Sequence, residues 1–174
     1  MLAMVFVVAL VLLAVVLGLA ATKSDTFSVV RATSMKAPPE KILPHIADFQ
    51  AWRAWSPWER LDPALKRSYS GAPSGKGAVY EWEGNSKAGR GRMEITDVAP
   101  GMIVIKLDFL KPFEAHNTAE FTLEPRGDST NVIWNMHGPS PFVIKVMGVF
   151  MNMDRMVGRD FERGLADLKA VAER

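Results

Sequence analysis

An uninterrupted apolar run at the amino terminus constrains this chain more than any other feature. The run extends from Leu2 to Ala21 and contains no charged or strongly polar side chain. As a helix rising about 1.5 Å per residue, it matches a hydrocarbon core about 30 Å thick. We therefore predict a membrane segment at residues 1–22 and one folded domain at residues 23–174.

Two interpretations of the run are open, a retained single-pass anchor and a secretory signal. A signal normally has a basic start and an apolar stretch of about 7–15 residues. This run is longer and only the amino terminus precedes it, which favours the anchor, although Gly18-Leu19-Ala20 fits a small-x-small cleavage site. Lys23 and Arg31 follow closely and favour a cytoplasmic domain. That tendency is weak for folded domains. We therefore predict a single-pass membrane protein and leave open on which side of the membrane its folded domain lies.

Charge and composition exclude several classes of function. Lys and Arg number 21 against 19 Asp and Glu, for a net charge of +2. A chain with so little net charge does not have the basic surface stripe that is typical of a nucleic-acid-binding protein. The chain has no cysteine, which rules out disulfides, thiolate zinc sites and cysteine nucleophiles. The length after the apolar run suits one hydrophobic core.

Alternation of apolar and polar residues with a period of two dominates the middle of the chain. It predicts a first strand at Phe27–Met35 and, after a short amphipathic helix at Glu40–Phe49 and an aromatic cluster, six further strands. Glycine and proline turn signals separate these strands and favour an antiparallel meander. The six strands are Lys66–Ser70, Ala78–Glu83, Arg90–Val98, Met102–Leu110, Glu114–Glu124 and Asn131–His137.

The period changes to that of a helix near the carboxyl terminus. Ser140 and Pro141 suit a helix start, and a single apolar stripe then continues from Val143 to Val171. It predicts one helix of about eight turns. One apolar helix stripe and one apolar sheet face bury each other, so we expect an α+β fold with the helix across the sheet.

Several motifs between Ser24 and Glu173 resemble the START-like (SRPBCC) superfamily, in its polyketide cyclase/dehydrase-like branch. The motifs are Ala37-Pro38-Pro39, His45-Ile46-Ala47-Asp48, Trp55-Ser56-Pro57-Trp58, Gly75-Lys76-Gly77-Ala78-Val79-Tyr80-Glu81-Trp82-Glu83-Gly84-Asn85, Gly89-Arg90-Gly91-Arg92-Met93, Val132-Ile133-Trp134-Asn135-Met136-His137-Gly138 and Phe161-Glu162-Arg163-Gly164-Leu165. The resemblance implies a helix-grip fold, in which a curved antiparallel sheet wraps a long C-terminal helix and two short helices follow the first strand. Relatives of this branch also carry an N-terminal membrane helix.

The same resemblance implies a hydrophobic cavity between the sheet and the long helix. Aromatic and methionine side chains on the predicted inner faces suit a ligand-binding wall, although they suit an ordinary core equally well. Polar candidates are few. Asn117 shares a strand face with Ala119 and Phe121, and a buried amide there needs a partner; the alternative is a solvated strand end. The predicted ligand-binding residues are Trp55, Trp58, Tyr80, Trp82, Met93, Phe109, Asn117, Phe121, Trp134, Met136, Met147 and Phe150.

No arrangement of residues in the sequence identifies a reaction. His45, His116 and His137 are scattered and lack metal-ligand spacing. The glycine-rich segment Gly71–Gly77 is not a phosphate-binding loop, because too few residues separate its glycines and Gly77 stands where Ser or Thr is needed. We therefore predict no catalytic residue, no metal site and no cofactor.

The superfamily spans lipid carriers, hormone receptors, cyclases and chaperone cofactors, so the resemblance does not specify an activity. Our first prediction is a membrane-tethered, non-enzymatic binding domain whose partner is a hydrophobic small molecule or lipid. The second is a cyclase or dehydrase that uses Asn117, Tyr80 or a histidine to move protons. The third is a protein-interaction domain similar to chaperone cofactors, which needs no cavity.

Overall fold

Seven antiparallel strands form one sheet in the computed structural model, which describes all 174 residues apart from the side chains of Leu2 and Ala3. The spatial order is β1-β7-β6-β5-β4-β3-β2. In chain order the elements are α1 (Leu2–Ala21), β1 (Thr26–Met35), α2 (Pro39–Ala47), two 3-10 helices (Ala51–Ala54 and Pro57–Arg60), β2 (Lys66–Gly71), β3 (Ala78–Glu83), β4 (Arg90–Ala99), β5 (Met102–Lys111), β6 (Ala115–Arg126), β7 (Ser129–Pro139), α3 (Phe142–Phe150) and α4 (Met153–Ala172). The predicted helix-grip architecture is confirmed.

The side-chain alternation that predicted the strands also sets which face of the sheet is buried. In the pairing of β6 with β7, Ala119 lies opposite Met136 and Phe121 opposite Trp134, and all four are buried. The first and last residues of each predicted strand lie within two residues of those observed. The register therefore brings one apolar face of every central strand toward α4, as the period of two requires.

Two irregularities in the pairing of β4 with β5 curve the sheet around the helix. The pairing of β4 with β5 shifts between Arg90 and Gly91 and again between Ile95 and Asp97, and such irregularities bend a strand. The indole of Trp82 lies across Gly91, where any β-carbon would collide with the ring. The absent side chain at Gly91 thus lets Trp82 lie flat on the inner face of the sheet.

Helix α4 is held on the sheet by apolar burial and by one arginine. Phe161, Leu165 and Leu168 are buried in the core. Arg31 of β1 passes over Gly158, where a β-carbon would collide with its guanidinium. Arg31 donates to Glu162 (Nε to Oε1, 2.8 Å) and to the Asp154 carboxylate (Nη1 to Oδ1, 3.0 Å). The guanidinium therefore fixes the rotation of α4 against β1.

The predicted single C-terminal helix is wrong, because the chain breaks it into α3 and α4 at residues 151–152. Met151 is extended, and the Asn152 side chain accepts a hydrogen bond from the Arg155 backbone N–H at 2.9 Å, which caps α4. Only α4 lies on the sheet, whereas α3 packs against α1. Both helices have apolar surfaces in the same phase, so the sequence stripe continues through the break.

Helix α1 leaves most of its side chains exposed, and Ala20 is the one residue buried among those whose side chains are described. By length and composition it is able to span a membrane, and a signal sequence at this position would pass the same test. Thr22–Asp25 connects α1 to β1. The interpretation of residues 1–22 as an anchor stays a prediction.

The packing around Trp134 generates a stability test. Its indole stacks on Phe161 at 4.1 Å between ring centroids and on Phe121 at 4.8 Å, and Trp134 is 2% exposed. We expect Trp134→Ala to lower the free energy of unfolding by about 3–5 kcal/mol, measured by denaturant titration. Met102→Ala, at the far end of β5, serves as the control and should cost far less, since Met102 is 37% exposed. An equal effect of the two substitutions would contradict this packing.

Candidate functional site

A cavity of about 150 Å³ lies between the inner face of the sheet, the second 3-10 helix and α4. Its walls are mostly apolar, and five of its residues are tryptophan, tyrosine or phenylalanine from the strands and α4. The lining residues are Trp52, Ser56, Trp58, Glu59, Leu65, Tyr80, Trp82, Ala88, Met93, Leu107, Phe109, Ala119, Trp134, Met136, Val157 and Phe161. The space between sheet and helix is therefore partly hollow.

Seven of the predicted ligand-binding residues line this cavity. They come from five different elements, and the alternation of the strands turns each strand residue inward. The seven are Trp58, Tyr80, Trp82, Met93, Phe109, Trp134 and Met136. Whether they contact a ligand stays a prediction, but the fold brings them to one place.

Three other predicted residues lie outside the cavity wall. Trp55 and Phe121 are fully buried in the core, with ring centroids 6.1 Å apart, and the Trp55 indole donates to the His45 carbonyl at 2.9 Å. Asn117 is buried on the cavity face of β6, where Gly138 leaves room for its side chain. Its Oδ1 has no hydrogen-bond partner among the described residues. These three side chains support the cavity from behind or beside it.

Met147 and Phe150 do not cover the cavity as predicted. Both lie on α3, which packs against α1, and Phe150 is 73% exposed. The break at residues 151–152 directs α3 away from the sheet, so Met147 and Phe150 lie away from the cavity. The helix side of the cavity is instead formed by Val157 and Phe161 of α4.

Glu59 is the one charged residue that lines the cavity, and the sequence analysis did not predict it. The Glu59 side chain is 6% exposed. Tyr80 donates its hydroxyl to Glu59 Oε1 at 2.5 Å, and Arg67 donates from Nε to Oε2 at 2.6 Å. Arg67 also donates to the carbonyls of Leu65 and Glu59, at 2.9 and 3.1 Å. Both carboxylate oxygens are thus hydrogen-bonded, and the negative charge is paired with Arg67.

The two side chains that donate to Glu59 both have raised pKa values. Burial, together with the hydrogen bond to Glu59, raises the pKa of Tyr80 well above its usual range. The hydrogen bond to Glu59 likewise raises the pKa of Arg67. At neutral pH the Tyr80 side chain therefore stays protonated and donates its hydrogen to Glu59. Because this hydrogen is committed to Glu59, the Tyr80 hydroxyl offers the cavity a hydrogen-bond acceptor.

The only sequence signal for this cluster was an acidic residue inside an aromatic segment, Trp58-Glu59. The pairing itself needs the second 3-10 helix to lie over β2 and β3, where Arg67 and Tyr80 are found. Among the side chains that the structure describes, no group of three or more histidine and acidic residues could hold a metal ion. His116 points to Asp108 on the outer face of the sheet, away from the cavity.

A family model described as "Polyketide cyclase / dehydrase and lipid transport" matches residues 26–173. The chain therefore belongs to this family. No curated protein matches the chain in sequence.

Solved structures resemble the fold at low identity. Protein CV1439 from Chromobacterium violaceum has a TM-score of 0.58 at 15% identity, covering 86% of this chain and 98% of that one. The KanY protein has a TM-score of 0.62 at 20% identity, covering 87% and 100%. The di-domain ARO/CYC BexL from the BE-7585A biosynthetic pathway has a TM-score of 0.63 at 18% identity, covering 90% of this chain and 53% of BexL. At these identities the likeness concerns the fold alone.

The Glu59–Tyr80 hydrogen bond generates a pH-dependent prediction. Folding raises the pKa of both tyrosines, Tyr69 by burial. The unfolded chain therefore releases these protons first, and stability falls as pH rises above about 10, by at most about 1.4 kcal/mol per pH unit for each tyrosine. We expect Tyr80→Phe to make this decline shallower. At pH 8 it should also cost about 1–3 kcal/mol, since Glu59 Oε1 loses its donor.

The measurement is denaturant unfolding of the full chain between pH 8 and pH 11. Tyr69→Phe is the matched control, because Tyr69 is 36% exposed and makes no side-chain hydrogen bond to a described residue. It should leave the stability at pH 8 nearly unchanged. If Tyr80→Phe behaves like Tyr69→Phe at pH 8, the hydrogen bond to Glu59 does not contribute to stability.

Proposed function

We propose that this chain is a binding protein for a hydrophobic small molecule or lipid that carries a neutral polar group. The observation that supports it most is the aromatic cavity with Glu59, Tyr80 and Arg67 in and behind one wall. Binding pockets typically combine an apolar lining with a few placed polar groups. We further propose that α1 holds the domain at a membrane, where such ligands accumulate.

The volume of the cavity restricts what enters it. Drug-sized ligands usually occupy about 300–1,000 Å³, whereas this cavity has about 150 Å³. Engineered apolar cavities of about that size bind benzene. One ring or a short aliphatic segment therefore fits, and the rest of a larger ligand extends out of the cavity.

The charges in the wall favour a neutral polar group over a carboxylate. Glu59 is the one charged lining residue, and Arg67 behind it already pairs with it. A ligand carboxylate near Glu59 would meet a like charge without a free cation to offset it. The Tyr80 oxygen, whose hydrogen goes to Glu59, still accepts a hydrogen bond from a ligand hydroxyl. An alcohol or phenol is thus the ligand chemistry that this wall suits.

A matched pair of amphiphiles tests the proposal. Full-length protein in lipid nanodiscs is loaded with the neutral fluorescent probe N-phenyl-1-naphthylamine and titrated with dodecanol or dodecanoate. We expect dodecanol to displace the probe at least about tenfold more effectively, a difference of about 1.4 kcal/mol. Empty discs are titrated in parallel to subtract partitioning into lipid. Equal displacement by both compounds would contradict the role of Glu59, and no protein-dependent probe binding would contradict the proposal as a whole.

A cavity-filling variant provides the structural control for this experiment. Ala119 lines the cavity and is 3% exposed, so Ala119→Met should weaken probe binding while leaving the melting temperature nearly unchanged. Ala166→Met, on the exposed side of α4, should alter neither quantity. If Ala119→Met unfolds the protein, the space beside Ala119 is too small to be a binding site.

The Tyr80–Glu59 pair favours one second candidate, a cyclase or dehydrase-like enzyme. The group in this pair that is able to accept a proton from a substrate is the Glu59 side chain, which Tyr80 and Arg67 hold in place. The raised pKa of Tyr80 makes its hydroxyl a weak proton donor. With aromatic polyketide thioester analogues as substrates, Glu59→Gln should retain binding but abolish turnover measured by product mass. Unchanged turnover in Glu59→Gln would exclude this residue as the proton acceptor.

A further inference from the structure

The sheet register gathers several chain segments at the end of the molecule where α1 joins. Thr26, the first residue of β1, pairs with Pro139, the last residue of β7. Arg90 pairs with Lys111, which places the β3–β4 and β5–β6 turns beside each other at the same end. Helix α3 and the start of α4 follow β7 directly. We refer to these segments, residues 22–26, 84–90, 110–114 and 139–157, as the anchor end.

The most exposed apolar side chains after Ala21 all lie at the anchor end. Phe150 is 73% exposed, Val143 64%, Phe113 60% and Met156 50%. The one charged residue of α3, Lys145, is buried and paired with Asp25, so the outer surface of α3 is apolar. A solvent-facing role does not account for such a concentration of large apolar side chains on one end of a small domain.

The anchor-end segments carry an excess of positive charge, with six Lys and Arg against Asp25, Glu114 and Asp154. Lys23, Lys87, Arg90 and Lys111 are exposed and form no ion pair with a described side chain. Apolar side chains beside lysine and arginine are typical of segments that insert at the surface of an anionic membrane. A second copy of the chain docked through the same end would bring these like charges together, which disfavours self-association there.

The cavity also lies toward the anchor end. On the side of Trp134 and Phe161 that faces away from the anchor end, the space between sheet and helix is filled by buried residues such as Leu123, Val132 and Leu165. On the other side the lining includes Trp82, Ala88, Phe109 and Val157, which are partly exposed and lie in or next to the anchor-end segments. The opening of the cavity is therefore beside the apolar and cationic surface.

We infer that the anchor end docks on an anionic lipid bilayer, so that the cavity opens toward the lipid. The continuity of this surface with α1, which packs on α3, selects a bilayer over other occupants. The inference deepens the proposed function and rests on it for one consequence: a ligand enters from the membrane, with its ring or chain end in the cavity and its remainder among the lipids. Docking itself requires no ligand.

Single cysteines test the docking, since the natural chain contains none. Phe113→Cys and Val143→Cys carry the environment-sensitive dye NBD, and Met102→Cys at the opposite end of β5 is the matched control. Full-length proteins are placed in nanodiscs of equal parts phosphatidylcholine and phosphatidylglycerol. We expect lipid-borne doxyl groups to quench labels at positions 113 and 143 several-fold more than at position 102. Aqueous iodide should show the reverse order.

Three results would overturn the inference. Labels at positions 113 and 143 that iodide quenches as strongly as the label at position 102 would place the anchor end in water. Labels protected from iodide but insensitive to doxyl lipid would indicate a protein partner. Quenching that is unchanged when phosphatidylcholine replaces all phosphatidylglycerol would remove the role of the cations. Because no ligand is added, these outcomes are independent of the probe displacement that tests the proposed function.

Discussion

The stacking of Trp134 between the sheet and α4 is the interaction on which the rest of the molecule depends. The indole is parallel to Phe161 within 9° and lies 29° from Phe121. Gly164 makes this approach possible, because a β-carbon there would come within 2.9 Å of the ring. On one side of Trp134 the two layers meet in a filled core, and on the other they separate around the cavity. The size of the Trp134 indole therefore sets both the distance between the sheet and α4 and the position at which the cavity begins.

The sheet was predictable because burial follows the strand period directly. An inward residue at position 134 requires inward residues at 132 and 136, and the structure has that phase. The break in the C-terminal helix was not predicted, because the apolar stripe continues across it. The spacing of apolar residues does not show whether the helix axis changes direction. Asn152, which is a favoured N-cap residue, and Asp154 in the following turn were the local signals that a helix begins there.

The candidate site was predictable only in part. Aromatic residues on inward strand positions necessarily face the helix, which is why seven of the predicted residues surround the cavity. The Glu59–Tyr80–Arg67 cluster joins residues from three elements, and no spacing along the chain encodes that contact. The volume of the cavity was equally unpredictable from the sequence. It is the small difference between the large volume enclosed by sheet and helix and the volume of the side chains that fill it. The missed residues are therefore the polar ones, which determine the chemistry.

The connection between α1 and β1 has a consequence for how this molecule meets its ligands. It consists of the four residues Thr22–Asp25, which span at most about 14 Å when fully extended. The Ser140 backbone N–H donates to the Asp25 carbonyl at 2.7 Å, which shortens the free length further. The domain is thus unable to swing far from the end of α1. Under the proposed anchoring of α1 in a membrane, a ligand in the same bilayer searches for the cavity in two dimensions, whereas a ligand in free solution must search in three.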